Sequence, residues 1–149
     1  MFKLGNHIIS ANNSPILVAE ISSNHNGSFQ TAKKMISLLK GSGVDAIKFQ
    51  LANPENVYSK NSFKANYQIK NTEKGSIKDM SRKYQLSKKD HIKLANLCYK
   101  NKIDYLCSAF DLDSLNFLIK RVKVPIIKIP SGEITSIDIL EKISKIKKK

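Results

Sequence analysis

Asp45-Ala46-Ile47-Lys48-Phe49-Gln50 decides the reading of this chain. Ala46, Ile47 and Phe49 describe a buried strand. Lys48 and Gln50 are polar groups that such a strand should not carry, because an ionised group on apolar structure must be paired or solvated. The same habit recurs in three other short apolar runs. Ile16-Leu17-Val18-Ala19-Glu20-Ile21 carries Glu20 near its end. Ile103-Asp104-Tyr105-Leu106-Cys107-Ser108 ends on Ser108. Val124-Pro125-Ile126-Ile127-Lys128-Ile129 carries Lys128, and Pro130-Ser131-Gly132-Glu133 follows it. Polar groups gathered at the same end of several strands describe a site at the carboxyl ends of a parallel sheet, where α/β barrels keep their chemistry.

Working outward, helical periodicity separates these runs. Ser28 is placed to cap a helix over about 29–40, with Phe29, Ala32, Met35, Ile36 and Leu39 on one face. Gly41-Ser42-Gly43 ends it. Ser87-Lys88-Lys89-Asp90 resembles a capping box with Asp in place of Glu, and the helix it opens is expected to bury Ile92, Ala95 and Cys98. Asp111 or Asp113 caps a short helix with Leu112, Leu115, Leu118 and Ile119. Ser136 caps a last one with Ile139, Leu140, Ile143 and Ile146. Ahead of all this, residues 2–9 read as a small hairpin turning at Gly5-Asn6. Residues 51–86 show little periodicity and read as a long loop, which inside a compact domain is usually functional or disordered. The order β-α-β-α-β-α-β-α implies a parallel sheet with helical crossovers. No domain boundary is visible.

Composition limits the function classes. The chain has 149 residues and a formal charge of +14, from 26 basic and 12 acidic residues. The excess is nearly all Lys, spread over several helices. The arginines are Arg82 and Arg121 alone, and Arg is the preferred reader of phosphates and bases. A nucleic-acid partner is therefore not expected. No apolar run of ~18 residues is present, so no membrane span or membrane partner is expected. The first residues lack the long apolar core of a signal peptide. Cys98 and Cys107 read as reduced core residues of a cytoplasmic protein.

Several segments together resemble one family. Ala19-Glu20-Ile21-Ser22-Ser23-Asn24-His25-Asn26-Gly27-Ser28 is similar to the first strand and loop of the sialic acid (N-acetylneuraminate) synthases. Asp45 to Gln50 is similar to their second strand, and Tyr67-Gln68 fits the long loop. Cys107-Ser108-Ala109-Phe110-Asp111 resembles the third-strand segment, where the family usually has Ser-Thr-Pro-Phe. Lys128-Ile129-Pro130-Ser131-Gly132-Glu133-Ile134-Thr135 is the most specific match. The resemblance covers nearly the whole chain.

The resemblance implies an enzyme that condenses phosphoenolpyruvate with an N-acyl sugar of the N-acetylmannosamine type, giving a nonulosonic acid and phosphate. It implies a TIM (β/α)8 barrel with a small antifreeze-like domain, a homodimer, and a divalent metal, manganese or magnesium. The family's metal-binding histidines lie on later strands, so no metal ligand is expected here. A full barrel needs roughly 250 residues. The chain is accordingly expected to be the N-terminal half, about four β/α units, of such a barrel. By itself it is not expected to catalyse the reaction. Half of a split synthase and a non-catalytic remnant are the alternatives. Ser131-Gly132-Glu133 resembles neuraminic and legionaminic acid synthases, while pseudaminic acid synthases, the remaining alternative, tend to carry a bulkier residue at the Gly132 position.

The chemistry assigns roles to named positions. Phosphoenolpyruvate brings a carboxylate and a phosphate, so its site needs fixed positive charge and hydrogen-bond donors. Lys48 and Lys128 can supply the charge; the alternative pairs them with Glu20 or Glu133 in buried ion pairs. Ser131 and the N–H of Gly132 can take phosphate oxygens. Ser108 keeps the hydroxyl of the family's usual Thr. Glu20 and Glu133 are the candidates for proton transfer and cation stabilisation. Gln50 is expected to hydrogen-bond the sugar, with a structural amide as the alternative. Phe110 is pocket wall or core. Asn24 and His25 shape the first loop, with Asn24 a candidate substrate contact. His7 and His91 are expected on the hairpin and on a helix surface.

Overall fold

A computed structural model describes residues 1–4 and 7–146, with side chains described outside 2–6. Strands β1 (Phe2–Leu4) and β2 (His7–Ile9) pair antiparallel, Phe2 opposite Ile9. This is the expected hairpin; its turn, Gly5-Asn6, lies outside the described residues. The central sheet is parallel, in the order β3 (Val18–Ser22), β4 (Ala46–Leu51), β5 (Asp104–Ala109). His7 reaches the amino ends of two of these segments, its Nε2 lying 3.2 Å from Asp104 Oδ2 and its Nδ1 3.9 Å from Asp45 Oδ1. The hairpin is thus tied to the end of the sheet opposite the candidate site.

Helices cover one face of the sheet. Helix α1 (Phe29–Leu39) begins at Ser28, whose hydroxyl accepts from Thr31 N–H as expected of an N-cap, and it buries Ala32 and Ile36. Gly41 and Gly43, both at positive φ, turn the chain out of it. The core joins α1 to Ile47, Phe49 and Leu51 of β4 and to Tyr105, Cys107 and Ala109 of β5. Those residues alternate with Lys48, Gln50, Leu106 and Ser108 along their strands, so the polar positions fall on the opposite face. Cys98 and Cys107 are free and buried, as the sequence suggests.

Three expectations are corrected. First, residues 51–86 are not one long loop. They hold α2 (Pro54–Val57), α3 (Asn66–Asn71) and α4 (Ile77–Tyr84). Each is opened by local chemistry rather than by an apolar stripe. Asn53 caps α2 with Pro54 in its first turn. Gln68 Oε1 accepts from Ala65 N–H, and Ser76 and Asp79 form a reciprocal capping box. Second, α5 (Lys88–Lys100), capped by Ser87, buries His91, Leu94 and Cys98. Ile92 and Ala95 are only partly buried. His91 is therefore a core residue and not a surface one, because its Nδ1 shares a 2.5 Å hydrogen bond with the Tyr105 hydroxyl. Third, the fourth strand is reduced to one parallel bridge, Ser108 to Lys128. Pro125 has no N–H for a ladder, and the segment follows a left-handed residue, Lys123.

Beyond β5, Asp111 is the cap of α6 (Leu112–Phe117), accepting from Ser114 N–H at 2.8 Å. A turn of π-helix follows at Leu118–Val122, and a 3-10 turn at Ser131–Glu133 leads to α7 (Ile137–Ser144). Ser136 opens α7 without a side-chain cap bond; its hydroxyl donates to Glu133 instead. Among the described residues no helix is long and apolar enough to cross a membrane.

Candidate functional site at the carboxyl ends of the strands

Register places five of the expected residues side by side. Glu20 stands opposite Lys48 in the β3–β4 pair, and the two side chains form an ion pair. One residue pair further along, Gln50 stands opposite Ser108, and Ser108 is bridged to Lys128. Because residues two apart on a strand share a face, Glu20, Lys48, Gln50, Ser108 and Lys128 form two adjacent rows on one side of the sheet. The ion pair weighed as the alternative role for Lys48 does form. It is an open one, with the Glu20 side chain 45% exposed and that of Lys48 14% exposed. The lysine is therefore held on the sheet face while its partner stays in contact with solvent.

Ser108 is the most telling of the five. It is 1% exposed, and its hydroxyl has no hydrogen-bond partner in the structure. An unpaired buried hydroxyl costs about 1–3 kcal/mol. A strand of Val or Ala at that position would be free of the cost. In register the residue stands between Gln50 and Lys128.

The loop after β3 builds a second wall. A bulge after Glu20 and positive φ at Ser22, Asn26 and Gly27 fold it tightly. His25 is 2% exposed, and its Nδ1 accepts from Gly27 N–H at 3.0 Å. That bond places the proton of the neutral ring on Nε2. Burial holds the His25 pKa below the ordinary histidine range, partly offset by a hydrogen bond with the Ser22 backbone. His25 stacks on Phe49, which stacks in turn on Tyr105. Gly27 packs on the end of α4 so closely that a Cβ there would meet Lys83 O at 2.3 Å. The loop thereby fixes α4 against the sheet.

Between this loop and helices α3 and α4 lies a cavity of about 300 Å³. Gln50, Ser22, Ser23 and His25 line it from the strand ends, and Tyr58, Tyr67, Gln68, Met80 and Tyr84 from the cap. Sequence reasoning singled out Gln50 and the Tyr67-Gln68 motif but missed Tyr58, Met80 and Tyr84. The signal available was the Ser76/Asp79 capping pair, which announces α4. Asn24 does not join the lining; it is exposed at the loop tip. Phe110 and Glu133 line a different cavity, of about 320 Å³, with Asp111 and Asp113. Ser131 and Gly132 are exposed on the 3-10 turn beside Glu133. The structure thus gathers Glu20, Lys48, Gln50, Ser108 and Lys128, and sets Phe110, Ser131 and Glu133 apart on the next segment. Among the described residues no group of three or more His, Cys, Asp or Glu side chains is arranged to hold a metal ion.

Parallel α/β folds form a class that keeps its functional sites at the carboxyl ends of the strands. The chain belongs to the NeuB family, whose pattern matches residues 35–149. It is 39% identical over 135 residues to the N,N'-diacetyllegionaminic acid synthase of Campylobacter jejuni, covering 90% of this chain and 40% of that protein. It is 34% identical to the N-acetylneuraminate-9-phosphate synthase of Drosophila melanogaster, covering 92% of this chain and 37% of that protein. The crystal structure of N-acetylneuraminic acid synthetase from Leptospira borgpetersenii superposes with a TM-score of 0.79 at 30% identity, covering 96% of this chain and 45% of that one. The chain therefore spans less than half the length of these relatives.

Proposed function

We propose that this chain supplies the phosphoenolpyruvate-binding face, and part of the sugar wall, of a nonulosonic acid synthase built on a TIM barrel. The observation that carries the reading is the buried, unpartnered Ser108 hydroxyl set in register with Lys128 and beside the Lys48 row. Two cations and a donor at strand ends are what a small molecule with one phosphate and one carboxylate requires. The family relationship supports the same chemistry.

In this reading Lys48 and Lys128 neutralise the bound anion, and Ser108 donates to one of its oxygens. Ser131 and the Gly132 N–H take further oxygens. The enol carbon of phosphoenolpyruvate attacks the aldehyde carbon of the N-acyl sugar, forming the new C–C bond. The aldehyde oxygen takes up a proton, and positive charge develops at the carbon bearing the phosphate. Glu20 and Glu133 are carboxylates suited to supplying that proton and facing that charge. Water adds at the cationic carbon, and C–O cleavage releases phosphate. A divalent metal would polarise the aldehyde oxygen in the family's enzymes.

Titration calorimetry of the purified chain with phosphoenolpyruvate tests the proposal. Lys48→Ala and Lys128→Ala should each weaken binding about tenfold or more, since a hydrogen bond to a charged group contributes about 1.5–3 kcal/mol. Binding that survives both substitutions unchanged would contradict it.

A further inference from the structure

Helices that connect parallel strands run back against them, so the helix C-termini gather at the amino ends of the strands. In this chain that end, the one to which the hairpin is tied, is basic. Lys40 is the C-cap of α1. Lys100 closes α5, and Lys102 lies between it and β5. Lys120 and Arg121 lie in the π-helical turn, and Lys123 follows it. Lys142 is in the last turn of α7. All of these are exposed, and among the described residues none stands within ion-pair distance of a carboxylate. The acidic residues of this end are already engaged: Glu141 with Lys145, and Asp45 and Asp104 with His7. The remaining acidic residues lie on the cap, at helix starts or toward the carboxyl ends of the strands.

Helix dipoles account for part of this charge, since a cation suits a helix C-terminus. They do not account for Lys102 and Lys123. Both sit directly after a helix at left-handed φ, +58° and +59°. Gly or Asn is the residue that backbone favours there, so local stability does not select a lysine at either position. The same end also exposes apolar side chains. Leu38 and Tyr99 lie in the last turns of α1 and α5, 72% and 83% exposed. Ile8 on the hairpin and Leu17 at the entry to β3 are each 54% exposed.

We propose that this end of the protein is a docking surface for an anionic lipid bilayer, with the cations on acidic headgroups and Leu38 and Tyr99 in the headgroup boundary. Clustered lysines are drawn to the negative surface potential of acidic lipids, and a few apolar side chains supply the second attraction that stable attachment needs. Two features favour a bilayer over other polyanions. The unpaired cations are lysines except for Arg121; lysine is a point charge suited to diffuse attraction, whereas reading individual phosphates favours arginine. A duplex offers no partner to Leu38, while the headgroup boundary receives both an aliphatic side chain and a tyrosine. The lack of an apolar run long enough to span a bilayer bears on crossing a membrane and not on lying against one. Docked this way, the chain turns the carboxyl ends of its strands to the solution, open to small molecules. The inference is independent of the synthase reading.

Co-sedimentation of the purified chain with lipid vesicles tests it. Vesicles of phosphatidylcholine mixed with phosphatidylglycerol should bind the chain, vesicles of phosphatidylcholine alone should not, and added salt should weaken the binding. Lys102→Gly combined with Lys123→Gly removes two cations at positions whose backbone favours glycine. That variant should keep or gain thermal stability while its vesicle affinity falls about 25-fold, about fivefold for each cation. Lys60→Gln combined with Lys70→Gln removes the same charge from the exposed surface of the cap and should change the affinity by less than about twofold. Leu38→Ser and Tyr99→Ser should each weaken vesicle binding without changing its salt dependence. Equal losses in the two lysine variants would mean that net charge alone is read, and would overturn the inference. Failure of the chain to bind the anionic vesicles would do so as well. Binding to double-stranded DNA as tight as to those vesicles, and indifferent to Leu38→Ser and Tyr99→Ser, would assign the face to nucleic acid instead.

Discussion

Acidification should destabilise this protein through one buried ring. His91 is fully buried on α5, with Nδ1 bonded to the Tyr105 hydroxyl and Nε2 without a partner. Burial, and to a lesser degree the charge of His25, push its pKa down from 6.5 to about 4, against a small opposing pull from Asp90. The unfolded chain takes up a proton near the ordinary value and the folded chain does so only near the lowered one. Stability from this group is therefore complete above about pH 6.5 and is lost as pH falls toward about 4. At ~1.4 kcal/mol for each pH unit between the two values, the full loss is about 3 kcal/mol. Between pH 7 and pH 5 it is about 2 kcal/mol, a large share of the ~5–15 kcal/mol that holds a domain together. Urea unfolding at a series of pH values measures it. His91→Leu removes the titrating group and the hydrogen bond shared with the Tyr105 hydroxyl, so it should cost about 1–3 kcal/mol at neutral pH. Its disadvantage should shrink or reverse by pH 5. His25 shifts in the same direction in both proteins, so the difference reports His91 together with its coupling to His25. A wild-type-minus-variant difference that stays flat across this range would refute the argument. So would a His91 ring resonance titrating near the ordinary value.

Other consequences follow from particular contacts. Ser108→Ala removes a buried hydroxyl without a partner, so thermal unfolding should show equal or higher stability while phosphoenolpyruvate affinity falls; a destabilised variant would mean the hydroxyl is paired. Gly27→Ala forces a Cβ to 2.3 Å from Lys83 O at a φ of +73°, and should lower stability by more than about 2 kcal/mol in urea unfolding. Asp111→Ala removes acceptors for Ser114 N–H and for Asn53 N–H, the latter at 2.7 Å. It should cost about 1–2 kcal/mol and loosen the start of α2 together with that of α6, visible as faster amide exchange at both.

The sheet and its polar rows were legible because a strand repeats every two residues. Lys48 and Gln50 sit between Ile47, Phe49 and Leu51, and only one face can be apolar. Ser28, Ser87 and Asp111 announced their helices through side chains that bond the next turn. Helices α2, α3 and α4 escaped because pieces of four to eight residues cannot show a stripe. They hold through caps and ion pairs formed with one another, such as Glu55 with Lys78 and Arg82. The face of α5 was ambiguous by spacing alone, since 91, 94, 98 and 92, 95, 98 both fit a helix. Counting histidine as polar chose the wrong one; Tyr105, far along the chain, supplies the hydroxyl that lets His91 turn inward. Lys128 comes beside Ser108 although its segment forms a single bridge and no strand.

The central claim is that the Lys48, Ser108 and Lys128 face binds phosphoenolpyruvate. A crystal structure of the protein soaked with phosphoenolpyruvate tests it most directly. The account predicts the phosphate between Lys48 and Lys128, with the Ser108 hydroxyl at hydrogen-bond distance of an oxygen and Lys48 drawn from Glu20 toward the ligand. Phosphoenolpyruvate seated elsewhere, with the Lys48–Glu20 pair undisturbed and Ser108 still unpartnered, would contradict it.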